Sequence, residues 1–218
     1  MAETTIQVVY VTSSEFKSKE NRIFADKYVL ADGTAVRDKF RFEIRPVPIK
    51  EILEVRIEAM VMEEVTKAYS QLKVPCIVEH AGLVFDGYEA ESYPGGLTKP
   101  MWNALKGRFV QETQSAGRAA TARAVVAYCD GKSVITFIGE TKGTIIQFPR
   151  GKTQFYWDTV FVPEDPNGKT RTKTYAEIVD DPDLGIEYKV LNLSQSSKAM
   201  EKFLNYRLLN PPEFWPRC

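Results

Sequence analysis

Two apolar runs joined by a tight turn constrain the fold of this chain more than any other feature. Residues 122–129 read "ARAVVAYC", Asp130-Gly131-Lys132 follows, and "SVITFIGET" returns over residues 133–141. Runs rich in β-branched and aromatic residues around Asp-Gly form a hairpin, so these strands are antiparallel. Elsewhere strands and helices interleave. Residues 6–12, "IQVVYVT", read as a buried strand that passes through "SSEFKSKE" into a helix ending near Phe24. Residues 39–47 alternate apolar and charged side chains, as a half-exposed strand does, and Pro46 and Pro48 close the run. The hairpin excludes a purely parallel sheet, so the fold class is α/β or α+β with a mixed sheet.

A long helix is expected over 51–72. Ile52, Val55, Ala59, Met62, Val65 and Tyr69 recur at helical spacing as its core stripe, and the glutamates between them fall on a solvated face. "VPCIVEH" is a strand after Pro75, with "GLVF" continuing or neighbouring it. "ESYPGG" carries turn chemistry, and residues 97–113 have helical character around Trp102, Leu105 and Phe109. Lys142-Gly143 reads as another turn before a further strand, "TIIQF". Thr174 is placed to cap a helix at "TYAEI", and Ser194 or Ser196 to cap a final helix. A chain of 218 residues fits one domain, 1–218, or two small lobes sharing a core.

Charge excludes some functions. Lys+Arg and Asp+Glu are both 29, and broad nucleic-acid binding needs a basic surplus, so no stable nucleic-acid binding is expected. A local pocket for a small polyphosphate stays compatible with this balance. No apolar run approaches the roughly 18–20 residues of a membrane span. The first residues lack a basic stretch followed by a long apolar one, so a cytoplasmic location is expected. Cys76, Cys129 and Cys218 are far apart, and neither a disulfide framework nor a C-x-x-C metal site is expected. With one histidine there is no His-rich zinc site, and any metal is expected to be held by oxygen: magnesium, manganese or calcium.

That histidine, His80, sits in "VEHAGLVF" beside Glu79. The strand-to-helix junction at Ser13 and Ser14 presents backbone N–H groups that suit an anion, although either serine serves equally as a plain helix cap.

Several stretches, in order, resemble the inosine triphosphate pyrophosphatase family. They are "VVYVTSSEFKSKE", "VEHAGLVF", "YPGG" followed by Lys99 and Trp102, "FIGETKGTI", "PRG" followed by "FYWDTVF", "KTYAEI" and "SQSSKAMEKF". The resemblance runs from about Val8 to Phe203. It implies an elongated mixed sheet with flanking helices, two lobes around a central nucleotide cleft, a homodimer, and Mg2+ as cofactor. It also implies hydrolysis of a purine nucleoside triphosphate between the α- and β-phosphates. Carried onto this sequence, Thr12, Ser13, Ser14 and Lys17, with Glu20, match the phosphate loop. Glu79 and His80 take the catalytic positions, and Glu51 or Glu54 joins Glu79 as a metal ligand. Phe155 and Trp157 fall where the base stacks, and Asp158, Lys189, Ser194 and Gln195 where it is read.

The chain also departs from the family pattern. Ser14 replaces Asn, His80 replaces the second acid, Tyr156 a glycine and Thr159 a proline. Gln195-Ser196 replaces a His-Arg pair, and one extra residue separates Lys189 from Ser194. A neutral imidazole binds Mg2+ poorly, so His80 is left as a general base or as an inert relic. The losses shift the expected substrate preference. A non-catalytic nucleotide-binding homologue, or another nucleotide hydrolase such as an N-glycosidase, remains an alternative.

Overall fold

The computed structural model describes residues 5–113, 117–152 and 156–211. Its strands are β1 (Ile6–Val11), β2 (Phe40–Arg45), β3 (Cys76–Phe85), β4 (Pro94–Gly95), β5 (Ala119–Cys129), β6 (Val134–Ile145) and β7 (Phe161–Pro163). They form one sheet in the order β2-β1-β3-β5-β6-β7, with β4 added to the outer half of β3. β1 runs parallel to β2 and β3, whereas β3, β5, β6 and β7 pair antiparallel, so the sheet is mixed as the hairpin requires. The helices are α1 (Glu15–Lys27), α2 (Val36–Lys39), α3 (Ile57–Leu72), α4 (Thr98–Leu105), α5 (Tyr175–Asp180), α6 (Gly185–Tyr188) and α7 (Gln195–Leu209). Among the described residues no helix is long and apolar enough to cross a membrane.

Strand alternation sorts the core. Val8, Tyr10 and Ile77 face α1 and α7, where they pack with Phe24, Phe203 and Leu204. Val9, Val11, Cys76 and Val78 face α3 and its Ile57, Val61, Val65 and Ala68. A third cluster fills the outer half of the sheet around Leu83, Phe85, Phe109, Trp157, Phe161 and Tyr175. Burying side chains of this size contributes about 1.5–3 kcal/mol each. Trp157 meets Phe161 edge to face with centroids 5.6 Å apart, which fixes their relative orientation as well as their burial.

Three sequence expectations need correction. The helix expected over 51–72 begins at Ile57 instead. Residues 51–56 are drawn off by other partners: the Gly96 N–H donates to the Val55 carbonyl at 2.8 Å, and the Arg56 N–H to Glu54 Oε1 at 3.0 Å. The buried face of α3 is also rotated from the expected one. It consists of Ile57, Met60, Val61, Glu64, Val65 and Ala68, while Met62 is exposed, so Glu64 stands in the core stripe and not on a solvated face. Finally, Lys142-Gly143 is no turn. β6 continues through it, and a Cβ on Gly143 would lie 2.3 Å from the Val162 carbonyl oxygen and 2.6 Å from the Phe161 ring. That glycine is required by the close approach of β7.

The caps follow the sequence. Ser14 Oγ accepts from the Lys17 N–H, Ser194 Oγ from the Ser197 N–H, and Thr174 with Glu177 forms a complete capping box.

Candidate functional site

The site lies where β1 ends beside β3. Because successive side chains of a strand point to opposite faces, Glu79 and His80 part company there. Glu79 follows Ile77 toward α1 and α7 and is 5% exposed. Its carboxylate accepts from the Tyr10 hydroxyl at 3.0 Å and from Ser196 Oγ at 3.2 Å, and pairs with Lys17 Nζ at 3.2 Å. The Lys17 ammonium also donates to the Glu79 carbonyl oxygen. Burial, then the Glu79 charge, holds the Tyr10 phenol well above its ordinary range, so it stays a donor. This carboxylate, expected as a catalytic group and metal ligand, is tied on three sides.

His80 follows Val78 toward α3, into a cleft of about 150 Å³. The cleft is lined by the expected Thr12, Ser13, Ser14, Lys17, Glu51, Glu79 and Trp157, and by Glu64, Lys99 and Tyr156. Glu54, the alternative to Glu51, is not among its lining residues, and its carboxylate turns back onto the Arg56 N–H. One ligand atom each from Glu51, Glu64 and His80 lies within 4.8 Å of the others. Lys99 Nζ reaches both oxygens of Glu51 at 3.4 Å and stands 5.9 Å from the centre of the Tyr156 ring. Lys99 is placed by the Pro-Gly segment. A Cβ on Gly82 would come within 2.2 Å of the Gly95 carbonyl oxygen and 2.9 Å of Thr98 Oγ1, so glycine lets this segment dock on β3.

The electrostatics of the cleft are unusual. Glu64 is 5% exposed and its Oε1 has no hydrogen-bond partner. Burial first, then the charge of Glu51, raises its carboxyl to about 7. Burial and the positive Lys17 and Lys99 push His80 down to about 3, so the imidazole is neutral across the physiological range. Sequence reading missed Glu64 because its helical phase was wrong. The run Ile57, Met60, Val61, Glu64, Val65, Ala68 has the i, i+3, i+4, i+7 spacing of a buried stripe, and an acid within it is the signal that finds it.

The residues expected to read the base lie in a buried network. Lys189 Nζ donates to Asp158 Oδ2 at 2.6 Å and Glu20 Oε1 at 2.9 Å, and sits 4.8 Å from the Tyr175 ring centre. Burial alone would lower the Lys189 ammonium, but Asp158 and Glu20 overcome it and hold Lys189 above its ordinary value. Burial raises Asp158 to about 6 against the pull of Lys189, and Asp158 Oδ1 has no hydrogen-bond partner. We take the pair as charged, since Lys189 lies between two carboxylates. Gln195 Oε1 accepts from the Tyr175 hydroxyl at 3.1 Å, and Trp157 is 1% exposed within the outer core. Phe155 lies outside the described residues. A small second hollow of about 30 Å³ joins this network to Tyr10, Lys17, Glu79, Ser194 and Ser196.

Two departures from the family pattern have visible structural outcomes. Tyr156 has φ +36°, a backbone region that favours glycine, so the position keeps a glycine conformation while its ring enters the cleft. Where the resemblance implies an extra residue before Ser194, the chain forms a π-helical turn, Lys189–Leu193, closed by the Ser194 N–H on the Lys189 carbonyl at 2.9 Å.

A curved mixed sheet with helices on both faces and a polar cleft at the end of β1 is an architecture already known. A HAM1 protein from Coxiella burnetii superposes with a TM-score of 0.65 over 93% of this chain and 100% of that one, at 18% identity. The sequence profile of the Ham1 family matches residues 8–206, and the chain belongs to that family. An inosine triphosphate pyrophosphatase of Candida glabrata is 28% identical over 180 residues, covering 80% of this chain and 87% of the relative. A dITP/XTP pyrophosphatase of Methanopyrus kandleri is 30% identical over 135 residues, covering 61% of this chain and 64% of the relative.

Proposed function

We propose that this protein is a nucleotide hydrolase of the nucleoside triphosphate pyrophosphatase type, releasing pyrophosphate from a purine (d)NTP with a preference shifted away from ITP and XTP. The observation that carries this reading is the cleft itself: the capped start of α1, Lys17 and Lys99 converge on Glu51, Glu64 and His80. Lysine ammonium groups and a helix N-terminus attract phosphate oxygens. The relatives named for ITP, dITP and XTP support the reaction class. The shift in preference is supported by Gln195 and Ser196, which hydrogen-bond to Tyr175 and Glu79, and by Tyr156 in the cleft.

A divalent ion, when bound, offsets charge on the phosphate oxygens and activates water. The Mg2+ implied by family resemblance does not fit the donor set well. One of the three gathered donors is an imidazole nitrogen, and the carboxylate of Glu79 is already engaged by Tyr10, Ser196 and Lys17. The chain's own residues bind and position: Lys17 and Lys99 hold phosphates, and the neutral His80 accepts or donates one hydrogen bond. A homodimer in the cytoplasm is part of the same reading, and sedimentation analysis checks the dimer.

The test is product analysis by mass, with standard, deaminated and modified NTPs and dNTPs and a series of divalent ions. Monophosphate with pyrophosphate is expected from at least one nucleotide, and Lys99→Met is expected to raise its KM. Binding without turnover by every nucleotide overturns the reading in favour of a non-catalytic homologue. Release of free base overturns it in favour of glycosidic cleavage.

A further inference from the structure

We propose that Glu51, Glu64 and His80 form a binding site for a first-row transition dication of the Mn2+-to-Zn2+ series, in preference to Mg2+. The site is the same cleft, but the inference rests on its donor atoms alone, so metal binding and nucleotide cleavage fail or succeed separately.

Three observations converge. The donors come from three different segments: the loop before α3, α3 itself, and β3. Their ligand atoms nevertheless lie within 4.8 Å of one another. A dication at about 2.1 Å from each donor needs donors roughly 3–4 Å apart, so closure is a matter of side-chain rotation. Second, Glu64 is 5% exposed, lines the cleft, and keeps Oε1 without a hydrogen-bond partner. A buried carboxylate oxygen left unpaired costs stability, and a cation supplies what the protein does not. Third, the donor set is mixed. Magnesium takes oxygen and holds its waters, whereas imidazole suits the later first-row ions, so two carboxylates with one nitrogen favour Mn2+ through Zn2+.

Two lysines line the same cleft, and their charge is a cost that direct ligation by two carboxylates has to exceed. Lys99 offsets Glu51 from outside at 3.4 Å, and Lys17 is turned to Glu79 at 3.2 Å.

His80 is the one histidine of the chain, so any imidazole nitrogen signal in an NMR spectrum is its own. Metal-stripped full-length protein is titrated with Zn2+, Mn2+ and Mg2+ by calorimetry, and Zn2+ is followed by 15N NMR of the ring. One equivalent of Zn2+ is expected to bind at least about tenfold tighter than Mg2+ and to shift a single ring nitrogen. Mn2+ should broaden the same ring signals. His80→Asp should narrow the Zn2+ to Mg2+ ratio, and Glu64→Gln should weaken both Zn2+ and Mn2+. Mg2+ binding as tightly as Zn2+ overturns the inference. So does Zn2+ binding that leaves the His80 ring unshifted, as binding at the paired Cys76 and Cys129 would. The wild-type ring spectra decide the matter even if a variant fails to fold.

Discussion

Glu79 and His80 are neighbours in the chain, yet they belong to two different environments. On the Glu79 face the carboxylate is fully engaged: a phenol, a hydroxyl and an ammonium converge on it. On the His80 face the sheet meets α3 across a cleft, and a buried carboxylate oxygen is left over. The difference teaches how to tell a brace from a ligand. A buried polar group whose partners are all protein atoms contributes to stability. One that lines an open cleft with a partner missing is a candidate to be paired by something from solution.

The comparison can be broken by mutation, starting with the largest effect. Lys189 is the extreme case of a satisfied charge, and Lys189→Met leaves Asp158 buried without its cation. We expect a loss of about 3–5 kcal/mol in urea unfolding. A loss below about 1 kcal/mol would mean that Asp158 is protonated in the native state.

Next comes the direct contrast across β3. Glu79→Leu should cost about 2–3 kcal/mol, because the Tyr10 hydroxyl is left buried without an acceptor. Glu64→Leu in metal-free protein at pH 8 should instead raise stability, by about 1 kcal/mol, since it removes an unpaired buried carboxylate. Equal losses for the two would erase the distinction between the faces.

The pH dependence of the metal-free protein sharpens the same point. His80 has a folded value of about 3, below its ordinary 6.5, so its contribution is whole above pH 6.5 and falls as the solution is acidified. Glu64 has a folded value of about 7, above its ordinary 4.5, so its contribution is whole below pH 4.5 and is lost as pH rises through 7. Between about 4.5 and 6.5 the two slopes oppose each other, each at most about 1.4 kcal/mol per pH unit. Glu64→Gln should therefore expose a steeper acid loss in urea midpoints, and His80→Asn should expose the alkaline one. Parallel pH profiles for the two variants would contradict the opposed shifts.

The smallest expected effect concerns Ser194. As the cap of α7, its loss in Ser194→Ala should cost about 1 kcal/mol and leave nucleotide KM unchanged. A KM change without a stability change would return Ser194 to the nucleotide site.

Much of this was legible in the sequence. The 130–132 hairpin, a cap at Ser13 or Ser14, at Thr174 and at Ser194 or Ser196, and the ordered motifs set the mixed sheet and its family, because each depends on local chemistry; the structure selects Ser14 and Ser194. Thr12, Ser13, Ser14, Lys17, Glu51 and His80 do meet in one cleft. The rest was not local. The choice between Glu51 and Glu54 depends on backbone contacts such as that of the Gly96 N–H with the Val55 carbonyl, distant in the chain but adjacent in space. The burial of Glu64 depends on the helical phase of α3, which begins at Ile57, just after the residue that Gly96 contacts. The separation of Glu79 from His80 was implicit in the strand period, but which face held the cleft required the helices to be in place.

The π-helical turn before Ser194 has a consequence for how such a chain accommodates changes in length. An inserted residue in an ordinary helix swings everything beyond it by about a quarter-turn or more. Here a wider loop of backbone spans Lys189 to Ser194, and the charge at one end and the cap at the other both keep their partners. A wide turn of this kind can take up one residue more than an α-helical turn between the same two ends, so the spacing of the ionic network and α7 is set by the turn and not by an unbroken helix.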